Sequence, residues 1–237
     1  MGDFTSFNNS LYENAEASLG KLGGLATLPT RGNFSIDQRN NLNSYLIPAV
    51  YSQLEGFFRE TSRTYIRAIE TAELLNYGSL EPRFFAILFG VNFFERDPFD
   101  RDKGDWRITV KPERMQTLAC ELAGFVQGRS IFEGRVSRKE QIPISNINFA
   151  RLNKLLENLC VDPLQNRQLQ KFDFDQGLDK LLGLRNAIAH EGKSRLIDEN
   201  EFNGFINLVT DVIYELAVLF EKAIKERSFL RQAVTAV

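Results

Sequence analysis

The sequence predicts an all-α protein, a helical bundle with a partly irregular insertion between its halves. Three observations carry that prediction. Apolar residues recur at helical spacing through several long segments, and hardly any stretch alternates as a half-buried strand would. The 237 residues contain no internal repeat, so a single bundle-like domain spanning 1–237 is expected rather than an array. Hydrophobic residues make up 43% and charged residues 25% of the chain, the balance of an ordinary globular protein. Phe accounts for 20 of the aromatics against six Tyr and one Trp, so the core should be filled by apolar rings with few polar handles.

The first 33 residues are weakly patterned, and Gly23-Gly24 together with Pro29 through Gly32 reads as a loop. Early helices are expected over 34–76. A helical stretch starts at Ser35 and meets Pro48, which should kink or restart it. At about 100° per residue, Leu46, Ile47, Val50, Tyr51, Leu54, Phe57, Phe58, Thr61, Tyr65 and Ile69 share one arc. Ser52, Gly56, Arg59, Arg63 and Arg67 lie opposite, with Glu55 at the border. The run Phe84 to Phe94 suits a buried helix or strand and is shorter than the ~20 residues of a membrane span.

Residues 95–145 are expected to form an insertion or connector. The segment 95–105 is dense in charge with Pro and Gly, as a surface loop would be. Glu113 to Gln127 returns to helical spacing, and the alternation around Ile142 and Ile144 permits a short strand. The helices of 146–230 are better defined. Asn146 is a candidate cap for a helix with Leu152, Leu155, Leu156 and Leu159 as its stripe, ended by Asp162-Pro163. A second begins near Asp175 and runs to Gly192. A third opens at Asp198, with Glu201 three residues on in the manner of a capping box, and continues to Ile224.

Composition also narrows function. Lys and Arg number 29 against 31 Asp and Glu, so binding of nucleic acid through bulk positive charge is not expected. Two cysteines, Cys120 and Cys160, and one histidine, His190, make a zinc site improbable, and no metal or cofactor is expected. The start of the chain lacks the basic and apolar regions of a signal peptide, so a cytoplasmic protein without membrane contact is expected.

The sharpest local anomaly is L-L-G-L-R-N-A-I-A-H-E-G, residues 181–192. Arg185 falls in the arc of Leu178, Leu181, Leu182 and Ala189, where a guanidinium is unfavourable unless something polar or anionic meets it. His190 stands in the last turn of the same helix. There the carbonyl end favours its protonation and the Arg charge opposes it, which suits proton exchange near neutral pH. The structural alternative is an Arg paired with a core carboxylate and a His half exposed at a helix end.

R-N-A-I-A-H resembles the signature of the HEPN superfamily, an Arg, usually with a polar neighbour such as Asn, then four to six residues, then His. The flanking N-F-A-R-L-N-K-L-L-E-N-L-C and the long apolar helix after the motif look like those of the MAE-like branch of that superfamily. So does the upstream Y-S-Q-L-E-G-F-F-R-E-T-S-R-T-Y-I, with its acidic residue before an aromatic pair. The resemblance implies a dimeric helical bundle of HEPN type that cleaves RNA without metal, with Arg185 and His190 catalytic. Two protomers would bring their motifs together, which agrees with one histidine per chain. Asn186 would orient His190 or hold a phosphate oxygen, though it could also be a plain surface amide. Glu55 would hold Arg185, or pair with Arg59 as an i,i+4 ion pair. Lys193 and Arg195 after the motif, and the row Arg59, Arg63 and Arg67, are candidates for RNA phosphates, a solvated face being the simpler meaning of that row. Phe4, Phe7, Tyr77 and the Phe residues of 84–94 could stack bases but suit a core better.

Two functions from different classes follow. One is an endoribonuclease acting as a toxin or defence effector, with an antitoxin or regulatory partner. The other is a non-catalytic HEPN-like module that binds a nucleotide or a partner protein, which the near-neutral charge favours.

Overall fold

The structure, a computed structural model, describes residues 4–70, 80, 81, 84, 94–96, 108–110, 146–169, 171–191 and 195–230, with the backbone alone at 70, 94–96, 108–110, 190 and 191. Among the described residues the α-helices are α1 (Thr5–Thr27), α2 (Ile36–Glu70), α3 (Phe149–Asn158), α4 (Phe174–Glu191) and α5 (Glu199–Glu226). Strand structure among the described residues is one antiparallel pair, β1 (Phe94–Arg96) and β2 (Ile108–Val110), in register Phe94↔Val110, Glu95↔Thr109 and Arg96↔Ile108. Glu95 and Arg96, the start of the segment 95–105 expected to be a loop, lie in β1, and the rest of that segment lies outside the described residues. The helix expected over Glu113–Gln127 and the strand expected around Ile142 lie outside the described residues.

Helix α1 corrects the reading of the first 33 residues. It runs through Gly23 and Gly24, and only Leu28–Thr30 forms a short 3₁₀ turn. Its buried residues are Phe7, Leu11, Ala15, Ser18 and Leu22, a seam at spacings of four, four, three and four. Small residues at two of those positions hide the seam from hydropathy. Gly20, Gly23 and Gly24 meet nothing within 4 Å where a side chain would start, so they lie off the seam.

Helix α2 opens with a reciprocal capping box. The Gln38 N–H donates to Ser35 Oγ at 3.3 Å, and the Ser35 N–H donates to Gln38 Oε1 at 2.9 Å. The restart allowed at Pro48 does not occur, and one helix of 35 residues runs through it. Proline removes one ladder hydrogen bond, but Ile47, Val50, Tyr51 and Leu54 beside it are all buried. Tertiary packing against α1 and α5 outweighs the local penalty. Every member of the arc read from sequence is buried except Leu46, which is half-buried.

Helices α1, α2 and α5 pack on one another, α4 packs on α2 and α5, and α3 packs on α4. Tyr65 is the hub of the core. Its ring meets Phe220 at 5.3 Å, Phe7 at 5.8 Å, Phe84 at 6.0 Å and Phe229 at 6.3 Å between centroids. Edge contacts of this kind contribute about 0.5–1.5 kcal/mol each beyond area burial. Helix α5 is long and apolar enough by composition to cross a membrane, yet half of its most apolar window is buried inside this bundle. Here it acts as a core helix, with Phe202, Phe205, Val209, Ile213, Leu216 and Phe220 turned inward. Asp198 caps it by accepting the Glu201 N–H at 2.7 Å, as expected. The Glu201 carboxylate is engaged by Lys180 and Arg195.

Candidate functional site

Three of the expected site residues, Glu55, Arg185 and Asn186, come together where α2, the lead-in to α3, and α4 meet. Tyr51 and Glu55 stand one turn apart on α2, so both look toward the same neighbour. That neighbour is the backbone of Asn146 and Ile147. The Asn146 N–H donates to Glu55 Oε1 at 2.9 Å. The Tyr51 phenol accepts the Ile147 N–H and donates to the Ile147 carbonyl at 3.2 Å. Three hydrogen bonds thus fasten this dipeptide to α2.

Asn146 is not the helix cap that the sequence suggested. The cap is Asn148, whose Oδ1 accepts the Arg151 N–H at 2.9 Å. Asn146 lies two residues earlier with φ of 53°, a left-handed conformation that Asn tolerates better than most residues. Its side chain is turned toward α4 and accepts from Arg185 Nη1 at 3.4 Å.

Arg185 lies about three turns into α4. The same Nη1 donates to Asn186 Oδ1 at 2.8 Å, and the guanidinium carbon sits over the Tyr51 ring, 5.5 Å from its centroid. All of these partners are neutral. Among the described residues no carboxylate lies within ion-pair distance of Arg185, and its Nε and Nη2 meet no acceptor. The alternative of an arginine paired with a core carboxylate is therefore not what these residues do. Glu55 spends an oxygen on the Asn146 backbone and reaches Arg185 through that residue.

The motif half of α4 is also less enclosed than its wheel suggests. Leu178 and Leu181 are buried, Leu182, Leu184, Arg185, Asn186 and Ile188 are half-buried, and Ala189 is exposed. Arg185 thus lies where the buried stripe gives way to solvent. The α4 backbone carries residue 190 in its last turn, about 7.5 Å further along the axis and about 140° round from Arg185. The His190 side chain lies outside the described residues.

Burial pushes the Tyr51 phenol well above its ordinary pKa. The charge of Glu55 and a hydrogen bond with it push the same way, against the Ile147 contact and the Arg185 charge. Tyr51 therefore stays protonated at neutral pH and serves as a donor and a ring, not as a base.

The expected phosphate contacts are more dispersed. Arg195 forms an ion pair with Glu201, and its carbonyl accepts Ser44 Oγ at 2.6 Å. Ser44 precedes Glu55 by 11 residues, about 16 Å along α2. Arg63 is exposed and bonds Glu60 at 2.9 Å, and Arg59 is half-buried one turn beyond Glu55. Lys193 and Tyr77 lie outside the described residues. Phe7 and Phe84 are core residues, and the half-buried Phe4 meets Phe229 at 6.2 Å. Among the described residues no group of His, Cys, Asp and Glu could hold a metal ion.

Tyr51 and Asn146 are the members that sequence reading missed as site residues. Tyr51 looked like one more ring of the α2 core stripe, and its fourth-residue spacing from Glu55 was the available signal. Asn146 and Asn148 both precede α3, and only the backbone shows which of them caps it.

No curated protein and no solved structure matches the chain. A family profile, that of the MAE_28990-like HEPN proteins, matches residues 5–229. It spans all five helices and takes in both the Glu55 helix and the R-N-A-I-A-H segment, and on that match the chain belongs to the MAE_28990-like HEPN family.

Proposed function

We propose that the protein is a metal-independent endoribonuclease that works as a homodimer, a toxin or defence effector acting on RNA. The observation that carries this reading is Arg185, a half-buried guanidinium held by amide oxygens and a ring, with two nitrogens that meet no acceptor among the described residues. A cation placed this way keeps its full charge for a substrate. A phosphate oxygen supplies the negative partner that is missing among the described residues.

In this mechanism the ribose 2′-hydroxyl attacks the adjacent phosphorus in line. The new bond joins O2′ to phosphorus, and the bond from phosphorus to O5′ breaks. His190 takes the 2′ proton, and His190 of the partner subunit, or water, returns one to the leaving 5′ oxygen. Arg185 balances the charge that builds on the equatorial oxygens. Asn186 holds Arg185 and a phosphate oxygen. Arg59, Arg63, Lys193 and Arg195 serve flanking phosphates. The products are a 2′,3′-cyclic phosphate and a 5′-hydroxyl, and DNA is resistant because it lacks the nucleophile.

The net charge of −2 favours a second reading, a non-catalytic module that binds a nucleotide or a partner protein through the same residues. The test is cleavage of RNA in EDTA by wild type, Arg185→Ala and His190→Ala, with folding checked by circular dichroism. The catalytic reading expects cleavage by wild type alone. Binding without cleavage by wild type would favour the module.

A further inference from the structure

We infer that Asn146 is a positioning residue for Arg185, and that Glu55 supports it by fixing the Asn146 backbone. This rests on the reading of Arg185 as the anion-binding group. The inference comes from how residues 146 and 147 are anchored. Glu55 takes the Asn146 N–H at 2.9 Å, and Tyr51 takes both backbone polar groups of Ile147. With its main chain fixed to α2 in a left-handed conformation, Asn146 projects one amide oxygen to Arg185.

That oxygen and Asn186 Oδ1 converge on the same nitrogen, Nη1, from two different elements. The Tyr51 ring lies under the guanidinium carbon, its centroid 5.5 Å away, on a third side. A planar group held at one terminal nitrogen by two acceptors and beside a ring has less freedom, so Nε and Nη2 are aimed together. The Asn186 bond alone, between neighbours on one helix, would let the whole side chain swing with α4.

The choice of amide over carboxylate also matters. An aspartate at 146 would hold Arg185 at least as firmly, but it would spend the charge that a phosphate needs. Neutral Asn146 orients the cation without quenching it. The carboxylate that could quench it, Glu55, is occupied by a backbone N–H. The site thus separates holding the guanidinium from neutralising it.

The test uses three variants of the full-length protein. Asn146→Gly keeps the left-handed backbone and removes only the amide. Asn146→Asp keeps the acceptor and adds charge. Glu55→Ala removes the anchor. The first readout is the Arg185 Nε–Hε signal in a nitrogen–proton correlation spectrum, assigned by its loss in Arg185→Lys. It should stand apart from the exposed arginines in wild type and Asn146→Asp. It should collapse toward them in Asn146→Gly and Glu55→Ala. The second readout is RNA cleavage. Asn146→Gly should lose roughly ten- to hundred-fold in kcat/KM, the usual effect of a misaimed group. Asn146→Asp should lose a similar factor, mainly as a raised KM.

An unmoved Arg185 signal in both Asn146→Gly and Glu55→Ala would overturn the inference, whatever the activity. If the signal behaves as expected and wild type cuts no RNA, the ribonuclease reading fails while the positioning role stands. Asn146→Asp cleaving with wild-type KM would overturn the claim that neutrality matters.

Discussion

Replacing Arg185 with methionine separates a structural arginine from one kept for function. The substitution preserves length and removes charge. From the structure, it removes one short charged hydrogen bond to Asn186 and one long bond to Asn146, together about 2 kcal/mol. It also removes a cation–π contact with Tyr51 of about 0.5–1 kcal/mol at partial exposure. Against that, a half-buried guanidinium with no counter-carboxylate among the described residues no longer has to be desolvated, which returns about 1–2 kcal/mol. The thioether also buries apolar surface, adding about 1 kcal/mol. The opposing effects nearly cancel, so Arg185→Met should change stability by no more than about 1 kcal/mol. Urea denaturation followed by circular dichroism measures this, with the slope checked for equality between the two proteins. Breaking a buried ion pair would instead cost about 3–5 kcal/mol. A loss of that size would refute the reasoning, because it would mean that Arg185 is neutralised by a carboxylate and serves the fold. The same variant should lose RNA cleavage while remaining folded.

Three further outcomes follow from the same contacts. Burial pushes the Glu201 carboxyl up, but the Lys180 hydrogen bond and the Arg195 and Lys180 charges outweigh it and leave it below the ordinary 4.5. Its stabilisation is therefore complete above pH 4.5 and lost as pH falls through the lowered value. Glu201→Gln should cost about 1–2 kcal/mol at pH 7 and progressively less below pH 4, read from urea midpoints. Arg227 ends α5 in the left-handed region with φ of 54°, where its N–H and that of Ser228 close the helix. Arg227→Gly should raise stability by about 0.5–1 kcal/mol in a thermal melt, and a lower melting temperature would refute the strain argument. Tyr51→Phe leaves the buried Ile147 N–H without its acceptor. It should cost about 1–3 kcal/mol and slow RNA cleavage as well, whereas an unchanged unfolding midpoint would contradict the clasp described here.

The legibility of the sequence differed from helix to helix for physical reasons. Helices α2 and α5 bury long, large side chains at regular spacing, so their faces could be read residue by residue. Helix α1 buries Ala15 and Ser18 within its seam and carries three glycines, so local propensity concealed what packing enforces. Pro48 suggested a kink or restart because its effect is local, whereas the burial on either side of it comes from distant helices. At the site, Arg185 stood out as a charge among leucines, and Glu55 as an acid at the border of an apolar face. Their connection did not stand out, because it runs through a backbone N–H and an amide 91 residues away from Glu55. A left-handed asparagine looks like any other asparagine in sequence, and Tyr51 doubles as core ring and clasp.

The claim that Arg185 and His190 act together on a ribose-phosphate is tested most directly by the ends of the cut RNA. A labelled RNA incubated in EDTA with wild-type protein should yield 5′ fragments ending in a 2′,3′-cyclic phosphate and 3′ fragments beginning with a hydroxyl. Neither Arg185→Ala nor His190→Ala should yield them. Fragments carrying 5′-phosphates, or the same products from both variants at the wild-type rate, would contradict the mechanism.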